Sequence, residues 1–259
     1  MFKSFIKNSK NLYFSIIPFY CAGCKKKCVD YLCKNCLIYL NAVKLSSTCK
    51  VCANHLENLG YAELENNYFI NTKVLCNACV EYNYVFNSTF ELFEHDIKFK
   101  TLIYAVKHGN ISLLKYLAGL LANNYKSFLS ENNISMPDLI IPVPISNKKL
   151  YIRGYNQSLY IAEILSKILN IPYKNNLLSV NHSSHNILRT QHLLNRNQRS
   201  LGLEYIISDK NFDIKGLNIL LADDVITTGT TLNNIAQLLI DNGASSVGNA
   251  VLARTQMNV

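Results

Sequence analysis

Leu220-Leu221-Ala222-Asp223-Asp224-Val225-Ile226-Thr227-Thr228-Gly229-Thr230-Thr231 is the stretch on which the fold turns. Leu217–Ala222 reads as a buried strand that ends in two adjacent carboxylates, Asp223 and Asp224. A short loop follows, and a helix over Thr231–Asn242 is closed by Gly243. Each part has a chemical use. Backbone N–H groups of a loop that opens into a helix form a concavity for a dianionic phosphate. Gly229 lets the backbone approach such a ligand closely. The hydroxyls of Thr227, Thr228, Thr230 and Thr231 add donors without adding charge. Carboxylates at a strand end accept hydrogen bonds from the two hydroxyls of a ribose. A ligand so held sits beyond the carboxyl edge of a sheet, where open α/β sheets bind their ligands. The loop has no Walker lysine and no G-x-G-x-x-G pattern. The competing reading is that Asp223 and Asp224 merely cap the turn.

Outward from this stretch, the pattern alternates strand and helix. Leu139–Val143 is a short apolar run stopped by Pro144, Tyr155–Leu169 is helical, Tyr205–Ile207 is extended and Val247–Ala253 is a last strand. Upstream, Phe93, Ile97, Leu102, Ile103 and Val106 recur at helical spacing, so a helix is expected over Phe90–Lys107, broken at His108-Gly109-Asn110. A second helix is expected over Ile111–Leu129. Residues 82–95 read as a connector. The polar residues 173–200 read as a long loop, which in a compact domain usually serves as a lid. The expected class is α/β, with a largely parallel sheet and helices on both faces. Pro144–Arg153, the loop after the first of these strands, carries Lys148, Lys149 and Arg153.

The chain has nine cysteines, and all lie between Cys21 and Cys79. Eight form C-x-x-C pairs: Cys21/Cys24, Cys33/Cys36, Cys49/Cys52 and Cys76/Cys79. A knuckle places two thiolates on one tetrahedral ion, and a second knuckle completes it. Four knuckles therefore make two closed zinc sites, structural rather than catalytic because no position is left for water. Pairing first with second and third with fourth follows the shortest loops, and interleaved pairing is the alternative. Cys28 is left as an unligated thiol. Confinement of the cysteines to one end argues against a disulfide-stapled secreted protein.

The formal charge is +9. Two thiolate-held zinc sites, each at about −2, bring it to about +5. The first 80 residues hold ten Lys against four acids. Such a surplus suits polyanions. Tyr31, Tyr39, Tyr61 and Tyr68 are candidates to stack on single-stranded bases, with at least half of them spent on packing. Lys3, Lys7 and Lys10 precede the apolar run Leu12–Phe19, which imitates a signal peptide but lacks a small-residue cleavage site. Residues 1–20 are expected to form a short amphipathic helix, with weak membrane contact as the alternative. No stretch reaches transmembrane length. A cytoplasmic protein is expected, organised as helix 1–20, cysteine module 21–81 and α/β domain 90–259.

The Asp223–Thr231 loop resembles the signature by which type I phosphoribosyltransferases bind phosphoribosyl diphosphate (PRPP). More of the chain resembles the ComF family of competence proteins, a double zinc ribbon followed by a phosphoribosyltransferase-like domain. The matching segments are Ile17-Pro18 ahead of Cys21 and Leu102-Ile103-Tyr104-Ala105-Val106-Lys107-His108-Gly109. They continue with Val143-Pro144, Arg153-Gly154-Tyr155-Asn156-Gln157, Gly243-Ala244 and Leu252-Ala253-Arg254-Thr255. The lid departs from the family pattern, with Arg189-Thr190-Gln191 compressed together, then Leu194, Arg199, and Gly202 where Asn is expected. The resemblance implies that Asp223 and Asp224 hold the ribose and act in catalysis. Val225, Ile226, Thr227, Thr228, Gly229, Thr230 and Thr231 would hold the 5-phosphate. Lys148, Lys149 and Arg153 would lie near the diphosphate and its magnesium. It also implies handling of single-stranded DNA in natural transformation, alongside other competence proteins. The alternative is an active PRPP-dependent transferase with an unknown acceptor. Strong chelation is expected to unfold residues 1–80 and leave the α/β domain folded.

Overall fold

The computed structural model describes residues 19–42, 48–49, 51–54, 61–62, 75–94, 99–131, 134–181 and 204–255. Most of the expected N-terminal helix, Tyr68, Ile97 and the lid residues Arg189, Thr190, Gln191, Leu194, Arg199 and Gly202 lie outside them.

Two small hairpins carry the cysteines. Strands β1 (Phe19–Tyr20) and β2 (Lys27–Cys28) pair antiparallel, and helix α1 (Lys34–Ala42) follows. Strands β3 (Tyr61–Ala62) and β4 (Leu75–Cys76) form the second pair, followed by helix α2 (Asn77–Tyr82). The first knuckles of the two hairpins share one turn: Lys25 N donates to Cys21 O (2.8 Å) and Ala53 N to Cys49 O (2.9 Å). Both turning residues are left-handed, Lys25 at φ 64° and Ala53 at φ 58°. A residue with a Cβ is strained there by roughly 1–2 kcal/mol. Ala53→Gly should therefore raise stability by about 0.5–1 kcal/mol, once glycine's larger entropy loss is set against that strain. A denaturant midpoint that fell instead would contradict this account of the turn.

The larger part is a four-stranded sheet in the order β5 (Ser88–Glu94), β10 (Ser246–Arg254), β9 (Asn218–Ile226), β6 (Leu139–Pro142), with every pair parallel. Its central strand alternates between two cores. Leu220 and Ala222 meet helices α4 (Ile111–Glu131) and α6 (Gln157–Leu169), with Leu113, Leu117, Ile161 and Leu165 in the same cluster. Ile219 and Leu221 meet helix α7 (Thr230–Asp241) through Ile235 and Leu239. A hairpin of β7 (Leu178–Val180) and β8 (Tyr205–Ile207) adds Leu178, Val180 and Tyr205 to that second core. The sheet is thus covered on both faces, as a parallel sheet must be.

Several expected elements differ. Ser88–Glu94 is a strand, and the helix expected from Phe90 begins only at Lys100, as α3 (Lys100–Lys107). Phe90, Leu92 and Phe93 are all buried, so the strand contacts protein on both sides and loses its alternation. Residues 173–181 include β7 and are not wholly loop. The segment after β6 is not an open loop either. Ser146 caps a two-turn helix, α5 (Asn147–Arg153), by accepting from Lys149 N. The strand through the Asp pair does not stop at Ala222 but runs to Ile226, paired with Arg254 of β10.

Candidate functional site

The two carboxylates occupy β9 just before its end, and the structure gives them different surroundings. Asp223 Oδ1 accepts from Ser158 Oγ at 2.7 Å and from Asp224 N at 2.9 Å. Burial, and then the neighbouring Asp224 charge, push its carboxyl up to about 7. Asp224 is 9 % exposed. Its Oδ2 is buried with no hydrogen-bond partner among the described residues, 3.9 Å from the Lys107 ammonium. A buried charged oxygen without a donor is costly and calls for one. A ribose hydroxyl has the chemistry required.

Beyond Ile226, Thr227–Gly229 turns the chain into α7. Gly229 sits at φ 78°, a conformation that disfavours any side chain. Its carbonyl accepts from Asn233 N (2.8 Å), starting the helix. The two preceding carbonyls are also taken. Arg254 Nη1 donates to Thr227 O, and Tyr84 Oη donates to Thr228 O at 2.5 Å. Among the described residues, the amides of Thr228 and Gly229 have no protein acceptor. Carbonyls tied back and amides left free is the arrangement an anion needs. Arg254 is fully buried, and its Nε and Nη2 have no hydrogen-bond partner among the described residues. A guanidinium beneath the loop adds positive field to it. Thr228 Oγ1 lies 2.9 Å from Thr230 Oγ1, so two of the hydroxyls already face one another. Tyr205 and Thr231 share a side-chain hydrogen bond at the start of α7.

The sequence placed Asp223, Asp224 and Val225–Thr231 together, and the structure does the same. Lys148 and Lys149 stand exposed on α5, and Arg153 Nη1 donates to Gln157 Oε1 (3.2 Å). Val143 N donates to Ala222 O (3.0 Å), so the segment leading to α5 leaves the sheet beside the Asp pair. Among the described residues, no hydrogen bond or ion pair joins the three basic side chains to the carboxylates. Lys107, Ser158, Tyr84 and Arg254 were not singled out from the sequence. Lys107 and Arg254 did lie inside the family-like segments, and that was the available signal.

The cysteines assemble into two tetrads, Cys21/Cys24/Cys33/Cys36 and Cys49/Cys52/Cys76/Cys79, with all ligand atoms of each within 4.8 Å of one another. Pairing is therefore sequential. Sulfur separations are 3.6 Å for Cys24–Cys33 and 3.5 Å for both Cys49–Cys79 and Cys52–Cys76. Four sulfurs about 2.3 Å from one tetrahedral zinc would lie about 3.8 Å apart, so the donor set fits that ion. Burial raises the Cys21 thiol. The backbone N–H groups of Cys33, Cys24 and Gly23 outweigh it and lower the Cys21 thiol, whereas burial and the neighbouring thiols raise that of Cys36, so the four sulfurs share their protons until a metal displaces them. Cys28 stands outside both tetrads and donates to Asp30 O.

The carboxylate pair and the Thr-Gly loop stand at the end of a strand in a parallel sheet covered by helices on both faces, and residues 156–257 match the phosphoribosyl transferase domain. The chain is also homologous to proteins named for competence and DNA utilization. It is 33 % identical over 122 residues to the DNA utilization protein YhgH of Shigella flexneri, covering 47 % of this chain and 52 % of that protein. To competence protein F of Haemophilus influenzae it is 34 % identical over 143 residues, 53 % of this chain and 59 % of the other. To competence protein ComFC of Bacillus subtilis it is 33 % identical over 138 residues, 51 % and 53 % respectively. The chain thus spans a little over half the length of these curated relatives. These matches agree with the expected resemblance to the ComF family, and the two N-terminal cysteine tetrads fit a double zinc ribbon.

Proposed function

We propose that this chain captures PRPP at Asp223–Thr231 and handles single-stranded DNA in the cytoplasm during natural transformation. The observation that carries the first part is the buried Asp224 Oδ2, which among the described residues has no hydrogen-bond donor and stands beside a loop whose Thr228 and Gly229 amides have no acceptor among them. In this reading Asp223 and Asp224 take the ribose hydroxyls, and Ser158 holds Asp223 in place. Lys107 offsets the paired negative charge. The loop amides, with Arg254 beneath them, take the 5-phosphate. Lys148, Lys149 and Arg153 serve the diphosphate end. Magnesium asks for few protein oxygens beyond the substrate's phosphates, so the carboxylate pair suits it, and when bound it neutralises the diphosphate.

The DNA part is supported by relatives named for competence and DNA utilization and by surface chemistry. Tyr31 and Tyr39 are spent on packing, 5.2 Å from Tyr116 and 5.6 Å from Phe99 between ring centres. Tyr151 on α5 is 92 % exposed and neighbours Lys148 and Lys149. An open ring beside two cations suits base stacking with phosphate contact. A second reading, transfer of the phosphoribosyl group to an acceptor, is favoured by the Asp223 carboxyl at about 7, where it could take a proton.

Titration calorimetry with PRPP and magnesium tests the site. Binding is expected at millimolar ligand or below and should depend on magnesium. Thr228→Val should weaken it only a few-fold, because Thr228 shares its hydroxyl with Thr230. Wild-type protein that takes up no ligand under these conditions would reduce the loop to a relic of the fold. A shift assay with single-stranded DNA should show affinity falling steeply between about 50 and 200 mM salt. Salt-independent binding would remove the electrostatic account. Pyrophosphate release with an offered base or DNA would establish transfer.

A further inference from the structure

The phosphate loop is held from behind by a residue that also touches the second cysteine tetrad. Helix α2 contains Cys79 and ends at Asn83, whose N–H donates to Cys79 O (3.2 Å) and whose φ of 45° turns the chain outward. Tyr84 follows at once. One side of its ring packs against the cluster of Cys49, Cys52, Cys76 and Cys79, and Phe86 stacks on it at 4.9 Å and 16°. The far end of the ring reaches Gly229, where a Cβ would stand 3.4 Å from Tyr84 Cζ. The hydroxyl donates to Thr228 O, and the next residue, Val85, donates its N–H to Asn233 Oδ1 (2.7 Å) in the first turn of α7. Four residues of chain, Val80 to Asn83, thus separate Cys79 from a strut with two grips on the loop and its helix.

We propose that Tyr84 couples the second cysteine tetrad to the phosphate loop, so that metal in the tetrad and ribose phosphate on the loop stabilise one another. A filled tetrad fixes α2 and hence Asn83. Tyr84 then holds the Thr228 carbonyl turned away and leaves the loop amides facing the anion. Linkage requires the converse: a bound phosphate that orders the loop must tighten the tetrad by the same factor. Among the described residues, the first tetrad shares none of these contacts. Its Cys21 and Cys36 sit in the other core, which makes it an internal control. The ligand side of this coupling rests on the ribose-phosphate reading, whereas the metal side does not.

Two measurements on the full chain separate the two. In the first, without ligand, amide hydrogen exchange is compared between wild type and Cys76→Ser. Exchange should rise at the Val85 and Asn233 amides, which are bonded to Asn233 Oδ1 and Gly229 O, and stay unchanged at 219–222. Tyr84→Phe, which keeps the ring against Gly229 and loses only the hydroxyl, should reproduce part of that rise. It guards against a Cys76→Ser protein that simply unfolds. Exchange at these two amides that neither variant changes overturns the coupling. In the second, zinc release to a chromogenic chelator is followed with and without ribose 5-phosphate. One of the two zinc equivalents should leave about fivefold more slowly with the ligand present, and the other at an unchanged rate. Tyr84→Ala should abolish the difference. If the ligand binds by calorimetry yet slows neither equivalent, or if Tyr84→Ala keeps the slowing, the coupling is wrong. If wild type binds no ribose 5-phosphate, the functional reading falls and the exchange experiment alone decides.

Discussion

Asp223→Asn should stabilise the ligand-free protein at pH 8 and cost it most of its hold on ribose phosphate. The Asp223 carboxyl is raised to about 7 by burial and by Asp224 beside it. In the unfolded chain it would titrate near 3.9. Between roughly pH 4 and 7 the folded protein therefore binds more protons than the unfolded one, and stability falls as pH rises through that window. Above the folded value the cost is complete. The two carboxylates titrate as a pair, so this cost belongs to both together. An amide does not titrate, and its oxygen can still accept from Ser158 and from Asp224 N. The variant should gain on wild type between pH 5.5 and pH 8 in denaturant midpoint. A gap that does not widen with pH would show that Asp223 is not the group responsible. In calorimetry the same variant loses one charged acceptor for a ribose hydroxyl, worth roughly 1.5–3 kcal/mol, so affinity should fall about tenfold or more. The site is built at the expense of the fold.

Removal of the metal should have a larger effect still. Purified protein is expected to hold about two equivalents of zinc, and Cys36→Ser about one. Metal analysis that found one equivalent in wild type, or iron, would contradict the tetrads as read. Structural zinc sites contribute about 10–16 kcal/mol of apparent binding energy in small modules, comparable with or above the whole stability of a domain. The sequence led to the expectation that chelation would spare the α/β domain. The structure argues otherwise, because Cys21, Leu32, Cys36 and Leu40 belong to the same buried cluster as Phe93, Phe99 and Leu102. Stripping the first tetrad opens that cluster. The unfolding midpoint of the α/β domain, followed through its own aromatic signals, should drop with chelator. A midpoint that did not move would show two independent folding units.

The parts that could be read in advance were those whose chemistry is local. Four knuckles at two-residue spacing announce their ligands, and the Asp-Asp-x-x-Thr-Thr-Gly run carries its strand, loop and helix in one stretch. Ser88–Glu94 was misread because Phe90 and Phe93 mimic a helical interval when a strand is buried on both faces. Helix α5 went unseen because none of its side chains is buried, which leaves no apolar period to detect. Ser158, Lys107 and Tyr84 act through partners 65, 117 and 144 positions away in sequence, and no local pattern encodes such meetings.

The pairing of β5 with β10 also bears on how the chain is made. Ser88–Glu94 follows directly on the cysteine module, yet its partner, Ser246–Arg254, is synthesised only after the whole stretch from β6 to α7. With synthesis at about 5–20 residues per second, the first sheet strand waits on the order of ten seconds for its neighbour. Through that interval an apolar edge with open amides and carbonyls invites pairing with other nascent chains. The cysteine module is complete by then, and its first tetrad already offers Leu32, Leu40 and Cys36 as a surface on which Phe93 and Phe99 can rest. A metal-poor cell should therefore lose this protein to aggregation during translation, before any finished molecule could lose its zinc.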